Sequence, residues 1–479
     1  MTAAGDARDG QIAMRDGDGS SASAAHPEIW RDGLLAGLDP THLAARFHTP
    51  LYVYDLDAVA ERARILRAAL PTRFDIAYAV KANPSLAVIA RLAAEGIGAD
   101  VSSEGELEAA RRAGVAHESV VVTGPGKSDA LIGSAVSPGV RAVVVESPLQ
   151  LDRVEEAART IGVRAPVLLR LAHPDEGELV EGHHAESSGN QPDAAQTAFG
   201  MSWEDALACA QRAARSPHLD LLGVHAFAVS ATLDPEALAG RVRVLVEAGR
   251  RLARQTGFSL RLVDAGGGLG IPYADGQQPL DLSALAARFA DLASRWAADP
   301  DLDAVRVLLE PGRFLVGPAG AYLARVVDTR WLDGRCIAVL DGGINHLLAP
   351  TLVGRSHRLR LVGSGSATSA PLAAESPAAR RTIPVVFTGP LCTTLDVVGR
   401  REAFPEPRLG DLLVALDAGA YGFTESMPWF LSHRGPAEVG ISAGRAELIR
   451  PRLDPLDVLN AQRLPQPQPA EGRVNTAAV

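Results

Sequence analysis

From residue 74 to residue 310 the chain repeats one unit, a short apolar run followed by a longer amphipathic stretch. The runs are FDIAYAV (74–80), GIGADVS (96–102), SVVVTG (119–124), RAVVVE (141–146), APVLLRL (165–171), LDLLGVHAF (219–227), SLRLVDAG (259–266) and AVRVLLE (304–310). Between most of them lie helical patterns such as SLAVIARLAAEG, PLQLDRVEEAARTIG and PEALAGRVRVLVEAGRRLARQTG. A strand with no polar face is buried on both sides, as in a parallel sheet covered by helices. Eight such units predict a closed (β/α)8 barrel; an open doubly wound sheet is the other arrangement of the same units.

Beyond about residue 320 the pattern changes. YLARVVDTRW, CIAVLDGG, HRLRLVG, TIPVVFTG, DLLVALDAG and AELIRPR read as strands separated by turns. They predict a C-terminal all-β domain. The expected organisation is a disordered leader (1–28), an N-terminal segment joining the β domain (29–50), the barrel (51–318), the β domain (319–455) and a Pro- and Gln-rich disordered tail (456–479). Two polar inserts, 174–196 and 363–381, read as mobile loops.

The net charge of −10 argues against nucleic acid or an anionic membrane as partner. The widely spaced cysteines Cys209, Cys336 and Cys392 form neither a disulfide framework nor a metal site, so no metal is expected and a reducing cytoplasm fits. There is no apolar run long enough to span a membrane and no secretory h-region.

Lysine is scarce: only Lys81 and Lys127 occur among 47 basic residues. A lysine kept in such a chain is kept for its amine. Lys81 closes the first apolar run, at the barrel face where active sites form. Burial there predicts a lowered pKa and a neutral amine able to attack an aldehyde; the plainer alternative is a lysine snorkelling at a strand end. Gly266, Gly267, Gly268 and Gly270 follow the seventh run and let backbone N–H groups approach an anion, although a tight turn needs glycine too. Glu310 opens Glu310-Pro311-Gly312-Arg313 after the eighth run and could hold a protonated pyridine nitrogen or simply pair with Arg313. Cys392 lies in GPLCTTLD and Tyr421 in DAGAYG, both read as displayed loops. His183 and His184 read as solvated loop residues, and Lys127 has no assigned role.

With these residues in place, the chain resembles the barrel-type (fold type III) pyridoxal-phosphate decarboxylases, the group of diaminopimelate, ornithine and arginine decarboxylases. The likeness runs from TPLYVYD (49–55) to about residue 440. YAVKAN, DVSSEGEL, AFGM, GGGLGIPY, EPGR, GPLC and AGAYG occur in family order, and seven motifs in order are specific where one is not. The resemblance implies an alanine-racemase-like barrel, pyridoxal 5'-phosphate as cofactor, and a homodimer whose active sites are shared.

Carried over position by position, it makes Lys81 the Schiff-base lysine and Glu310 the partner of the pyridine nitrogen. Gly267, Gly268, Gly312 and Arg313 become a phosphate cradle, with hydroxyls from Ser230 and Tyr421. Cys392 becomes the acid that reprotonates the substrate carbon, beside Thr393 and Asp396 as substrate contacts.

Three departures bear on the substrate. Phe227 stands where the family has a histidine stacked on the cofactor ring. Thr393 replaces a glutamate. Ala349-Pro350-Thr351-Leu352-Val353 replaces an Arg-Pro-x-Leu-Tyr segment whose arginine and tyrosine bind the far end of diaminopimelate. A carboxylate without that arginine would lose roughly 1–3 kcal/mol. These departures, with GPGKSD (124–129), look more like family members of specialised metabolism, acting on citryl–diamino acid intermediates of siderophores or on aminoacyl carrier proteins. A racemase on the same barrel would need a tyrosine acid in place of the Cys392 loop. A non-catalytic relative would lack the lysine or the phosphate contacts.

Overall fold

The computed structural model describes residues 27–137, 139–172, 174, 199–227, 231–363 and 376–465. Its first body is a closed barrel of eight parallel strands: Phe74–Ala79, Gly98–Val101, Val120–Val122, Ala142–Val145, Ala165–Arg170, Leu219–His225, Leu262–Asp264 and Arg306–Leu309. Each of the eight apolar runs supplies one strand. The ring closes where Leu262 pairs with Gly223 on one side and Arg306 on the other.

Strand side chains alternate between two apolar environments. Ala77, Val121, Val144, Leu168, Leu262 and Leu308 fill the barrel interior, while Ile76, Val122, Val143, Leu169, Val263 and Val307 pack against the surrounding helices. The period-two alternation is hidden in the sequence because both faces are dry. Several helices start on a side chain that caps the first turn: Ser103, Ser128, Ser147, Ser202, Asp234 and Asp281 each accept a hydrogen bond from a backbone N–H two or three residues on.

Gly223 (φ 157°) shows how tightly the ring is drawn, since a Cβ there would overlap the carbonyl oxygen of Leu262.

The second body is a nine-stranded sheet built on the long strand Gly320–Leu332. One correction concerns its membership. Strand Leu51–Asp55, expected in the barrel, pairs antiparallel with Gly320–Leu323 and parallel with Ala437–Ser442. Leu51, Tyr52, Val53 and Tyr54 are buried in the cores of this sheet, which an eight-strand ring already closed could not offer them. The chain therefore threads the β body, then the barrel, then the β body again.

Two strands not anticipated, Val397–Pro405 and Ala437–Ser442, complete the sheet. The expected disordered ends are also trimmed. Glu28 pairs with Arg358 at 3.1 Å, and Pro455–Asn460 is helical, capped by Asp454. Of the expected loops, 174, 363 and 376–381 are described; Arg380 there is buried in an ion pair with Asp411. The rest of those inserts, including His183 and His184, lies outside the described residues.

Candidate active site

The strands deliver their last residues to one end of the barrel, and around that mouth a polar group stands at or near the end of each apolar run. In ring order these are Lys81, Asp100, Thr123, Glu146, Arg170, His225, Asp264 and Glu310. Asp100, Glu146, His225, Asp264 and Glu310 are all buried, so each charge must find a partner within the mouth.

Lys81 Nζ donates to Asp100 Oδ2 at 2.6 Å, and its side chain is 46% exposed to the opening. Thr123 donates to the other Asp100 oxygen at 2.5 Å and meets the Ser102 hydroxyl at 2.9 Å. The expected lowering of the Lys81 pKa is not found. Burial pulls it down, but the charges of Asp100 and Glu310 together outweigh burial and raise it above the ordinary lysine value. The pairing with Asp100 favours the ammonium form.

On the other side of Lys81 around the ring, His225 Nε2 lies 3.6 Å from Glu310 Oε2, and one atom each of His225, Asp264 and Glu310 fall within 4.8 Å of one another. Burial would raise the Glu310 pKa, but His225 and Lys81 reverse that and hold it below the carboxylate range. Asp264 moves the other way, raised by burial and by the Glu310 charge. Asp264 also accepts the Gly266 N–H at 3.0 Å. Glu310 Oε1 is buried and has no hydrogen-bond partner among the described residues.

Beside Glu310 the glycines leave no room for side chains. A Cβ on Gly267 would stand 2.7 Å from the Glu310 carbonyl oxygen, and one on Gly312 would stand 2.8 Å from Ala82 Cβ. Gly266 adopts a left-handed φ of 64°. Phe227 is 46% exposed, and its ring lies over this turn, with Cδ2 3.0 Å from where a Gly266 Cβ would be. Tyr421 also takes a left-handed φ, 54°, and is anchored by its N–H to the Ala82 carbonyl at 2.8 Å. Arg313 stacks on the Tyr421 ring at 4.7 Å and donates to the Tyr273 hydroxyl at 2.6 Å. Ser230 lies outside the described residues.

A lysine amine, an orphaned buried carboxylate oxygen and a side-chain-free glycine turn are the contacts a pyridoxal phosphate requires: aldehyde, ring nitrogen and phosphate. Residues 56–317 match the family model described as "Pyridoxal-dependent decarboxylase, pyridoxal binding domain".

The chain belongs to the pyridoxal-dependent decarboxylase family.

Over 90% of its length it is 33% identical to the diaminopimelate decarboxylase of Methanothermobacter thermautotrophicus, covering 96% of that protein. It is 30% identical to the L-glutamyl-[BtrI acyl-carrier protein] decarboxylase of Niallia circulans, over 88% of this chain and 95% of that one. Among solved structures, diaminopimelate decarboxylase from M. jannaschii superposes with a TM-score of 0.78 at 26% identity, covering 91% of this chain and 97% of that one. The protein is thus a pyridoxal-phosphate-dependent amino-acid decarboxylase on an alanine-racemase-like barrel with a β-rich C-terminal body.

Within this family frame, the GPLC loop departs from expectation. Cys392 is exposed, but Asp396, expected as a substrate contact, is buried and turned inward. Its carboxylate accepts the N–H groups of Ile344 and Leu391, both at 2.8 Å. A Cβ at Gly343 or Gly389 would collide with that carboxylate. Asp396 therefore staples the Cys392 loop to residues 343–344, because two buried N–H groups would otherwise be orphaned. Thr393 accepts the Leu395 N–H at 3.2 Å through its hydroxyl. Thr351 donates to the Leu395 carbonyl at 2.9 Å, so segment 349–353 braces the same loop.

Sequence reasoning passed over Asp100, Thr123, His225 and Asp264. The signal was available: each is a polar residue at or just past the end of a strand that is otherwise apolar. It also left Lys127 without a role. That amine is buried, donates to the Gly124 carbonyl at 2.5 Å and to Gln150 at 3.3 Å, and is pulled down to about 8, chiefly by burial. It ties the strand-three loop to the helix Pro148–Ile161.

Proposed function

We propose that this decarboxylase acts on an amino acid or amino-acid conjugate of specialised metabolism, of the citryl–diamino acid or aminoacyl carrier-protein type, in a homodimer with shared active sites. The observation that carries this reading is the segment Ala349–Val353. Ala349 is buried, Val353 offers no polar group, and Thr351 is committed to the Cys392 loop. Nothing in these five residues can pair with the far carboxylate and amine of diaminopimelate. The name of the Niallia circulans relative, whose substrate is held on a carrier protein, is compatible with it.

The residues divide the work as follows. Lys81 would hold the cofactor through its amine. Gly267, Gly268, Gly312 and Arg313 would cradle the phosphate, with Tyr421 and Ser230 adding hydroxyls, and Phe227 would cover the ring face. When bound, pyridoxal phosphate supplies the electron sink for the pair released as the Cα–carboxylate bond breaks. Glu310, buried and held below the usual carboxylate range, would pair with the ring nitrogen and favour its protonated form. Cys392, reaching in from the neighbouring subunit, returns a proton to the carbon that lost CO2, and Asp396 positions the loop that presents it.

A second reading, decarboxylation of diaminopimelate itself, is favoured by the names of several relatives. Both are tested by CO2 release from meso-diaminopimelate, ornithine, lysine, arginine, citryl-diaminopropionate and a glutamyl carrier protein, with products read by mass spectrometry. Turnover of a conjugate alone is expected. Efficient turnover of diaminopimelate would overturn the first reading in favour of the second.

A further inference from the structure

The segment that carries Lys81 ends on a buried asparagine. Val80–Ala82 forms a single 3-10 turn with Lys81 at its middle, and the Asn83 N–H closes that turn on the Val80 carbonyl at 3.0 Å. Pro84 confines Asn83 to extended backbone, seen as φ −161° and ψ 103°. The other polar groups of Asn83 are engaged as well. Its carbonyl accepts the Tyr78 hydroxyl at 2.9 Å, its side-chain oxygen accepts the Ser85 N–H at 3.1 Å, and its side-chain amide donates to the Gly419 carbonyl at 3.0 Å.

The last of these bonds crosses from the barrel to the β body. Gly419 follows the strand Leu412–Ala415 and precedes Tyr421 by two residues. A second bond runs beside it, from the Tyr421 N–H to the Ala82 carbonyl at 2.8 Å. Gly419 has no freedom to move aside: its N–H donates to the Gly317 carbonyl at 3.0 Å, and a Cβ there would stand 1.9 Å from the Val316 carbonyl oxygen. The two residues after Lys81 are thus each tied to the loop of Tyr421. With one bond that loop could still turn about it; two adjacent bonds remove the freedom.

Lys81 and Tyr421 sit on different bodies, so contacts between elements, not the local chain, must set their separation. Binding groups serve a ligand only when they are held to within about 0.5 Å of the productive geometry. We propose that Asn83 is a positioning residue for cofactor binding: through the Gly419 carbonyl it holds the Tyr421 hydroxyl at the span from Lys81 that a pyridoxal phosphate requires between its aldehyde and its phosphate. The proposal rests on the assignment of Tyr421 to the phosphate. Asn83 acts through Tyr421 and not on the cofactor itself.

The cofactor-free enzyme is titrated with pyridoxal phosphate and with pyridoxal, which lacks the phosphate, and binding is followed by absorbance. Asn83→Asp keeps the acceptor for Ser85 and sets an oxygen against the Gly419 carbonyl, so it removes the bond between the bodies. It should weaken pyridoxal-phosphate binding about tenfold and pyridoxal binding by less than about threefold. Asn83→Ala adds no repelling oxygen; it should show the same selective loss, and it decides the matter if Asn83→Asp does not fold. Tyr421→Phe should also weaken pyridoxal phosphate selectively. Adding Asn83→Asp to Tyr421→Phe should then cost less than about threefold more, because both changes remove one interaction.

Equal losses for the two ligands, or losses that multiply in the double variant, would make Asn83 a residue of the fold alone and overturn the proposal. An unchanged phosphate preference in Tyr421→Phe would overturn it too, and would show separately that Tyr421 does not serve the phosphate.

Discussion

Lys81 is protonated before cofactor binds, because Asp100 lies 2.6 Å from its amine and burial alone is outweighed. A protonated amine cannot attack an aldehyde, so uptake of pyridoxal phosphate by the cofactor-free protein should accelerate as pH rises from 6 to 10, by roughly tenfold per unit while the ammonium dominates. In Asp100→Asn burial is opposed chiefly by Glu310 alone, the amine titrates lower, and uptake at pH 7 should be faster than in the wild type. Absorbance-monitored reconstitution across that range checks it; identical profiles would mean that Asp100 does not control the amine. His346 gives a stability counterpart. It is buried between Tyr322 and Phe423, and burial lowers its pKa to about 3. An unfolded chain takes up this proton near pH 6.5 while the folded chain refuses it, so the unfolded state binds more protons and stability falls as pH drops from 6.5 towards 3. Removing the group in His346→Gln should flatten the pH dependence of unfolding free energy in that window by about 1 kcal/mol per unit, read from urea titrations at pH 4.5, 5.5 and 6.5.

The Cys392 loop is an element stapled from within by Asp396 and braced from outside by Thr351. Asp396→Ala leaves the N–H groups of Ile344 and Leu391 without their acceptor, at about 1–3 kcal/mol each if water cannot reach them. The variant should unfold at lower denaturant and lose kcat more than KM, since the loop presents the acid and not the cofactor. A normal kcat with lowered stability would separate the loop from the chemistry. The elements differ in how far they can be read ahead of the fold. The eight barrel strands announce themselves because both their faces are dry. Val397–Pro405 does not, because only Val398 and Phe404 are buried while Arg400, Glu402 and Ala403 face solvent, and such a run looks like a loop. TPLYVYD is plainly a strand, but which sheet receives it depends on partners some 270 and 390 residues away, which no local pattern encodes. The site divides in the same way. Lys81, Glu310 and the glycine turn follow directly on their strands, whereas the inward turn of Asp396 and the pairing of Lys81 with Asp100 follow from packing between elements.

At the scale of the whole molecule, the described chain leaves the thiol of Cys392 exposed, and so are Leu395 in its loop and Leu352 and Val353 in the segment that braces the loop. Trp429, Phe430 and Leu431, in the turn after Glu425, are between 40% and 50% exposed. A run of large apolar groups facing water is costly unless another surface covers it, and a two-fold partner would cover the same patch on both copies at once. If that partner's loop completes the site, Lys81 and Cys392 of one chain serve different active sites. Lys81→Ala and Cys392→Ala homodimers should then each be nearly inactive. Unfolding and refolding an equal mixture gives half heterodimers, and each heterodimer has one site with both defects and one with neither. Activity should therefore recover to about a quarter of the wild-type value at equal total protein, while each variant refolded alone stays inactive. Were both residues to act in the same subunit's site, every site in the mixture would keep one defect and no activity would return. The recovered fraction, measured as CO2 release with a substrate identified from the panel, decides between a shared site and a self-contained one.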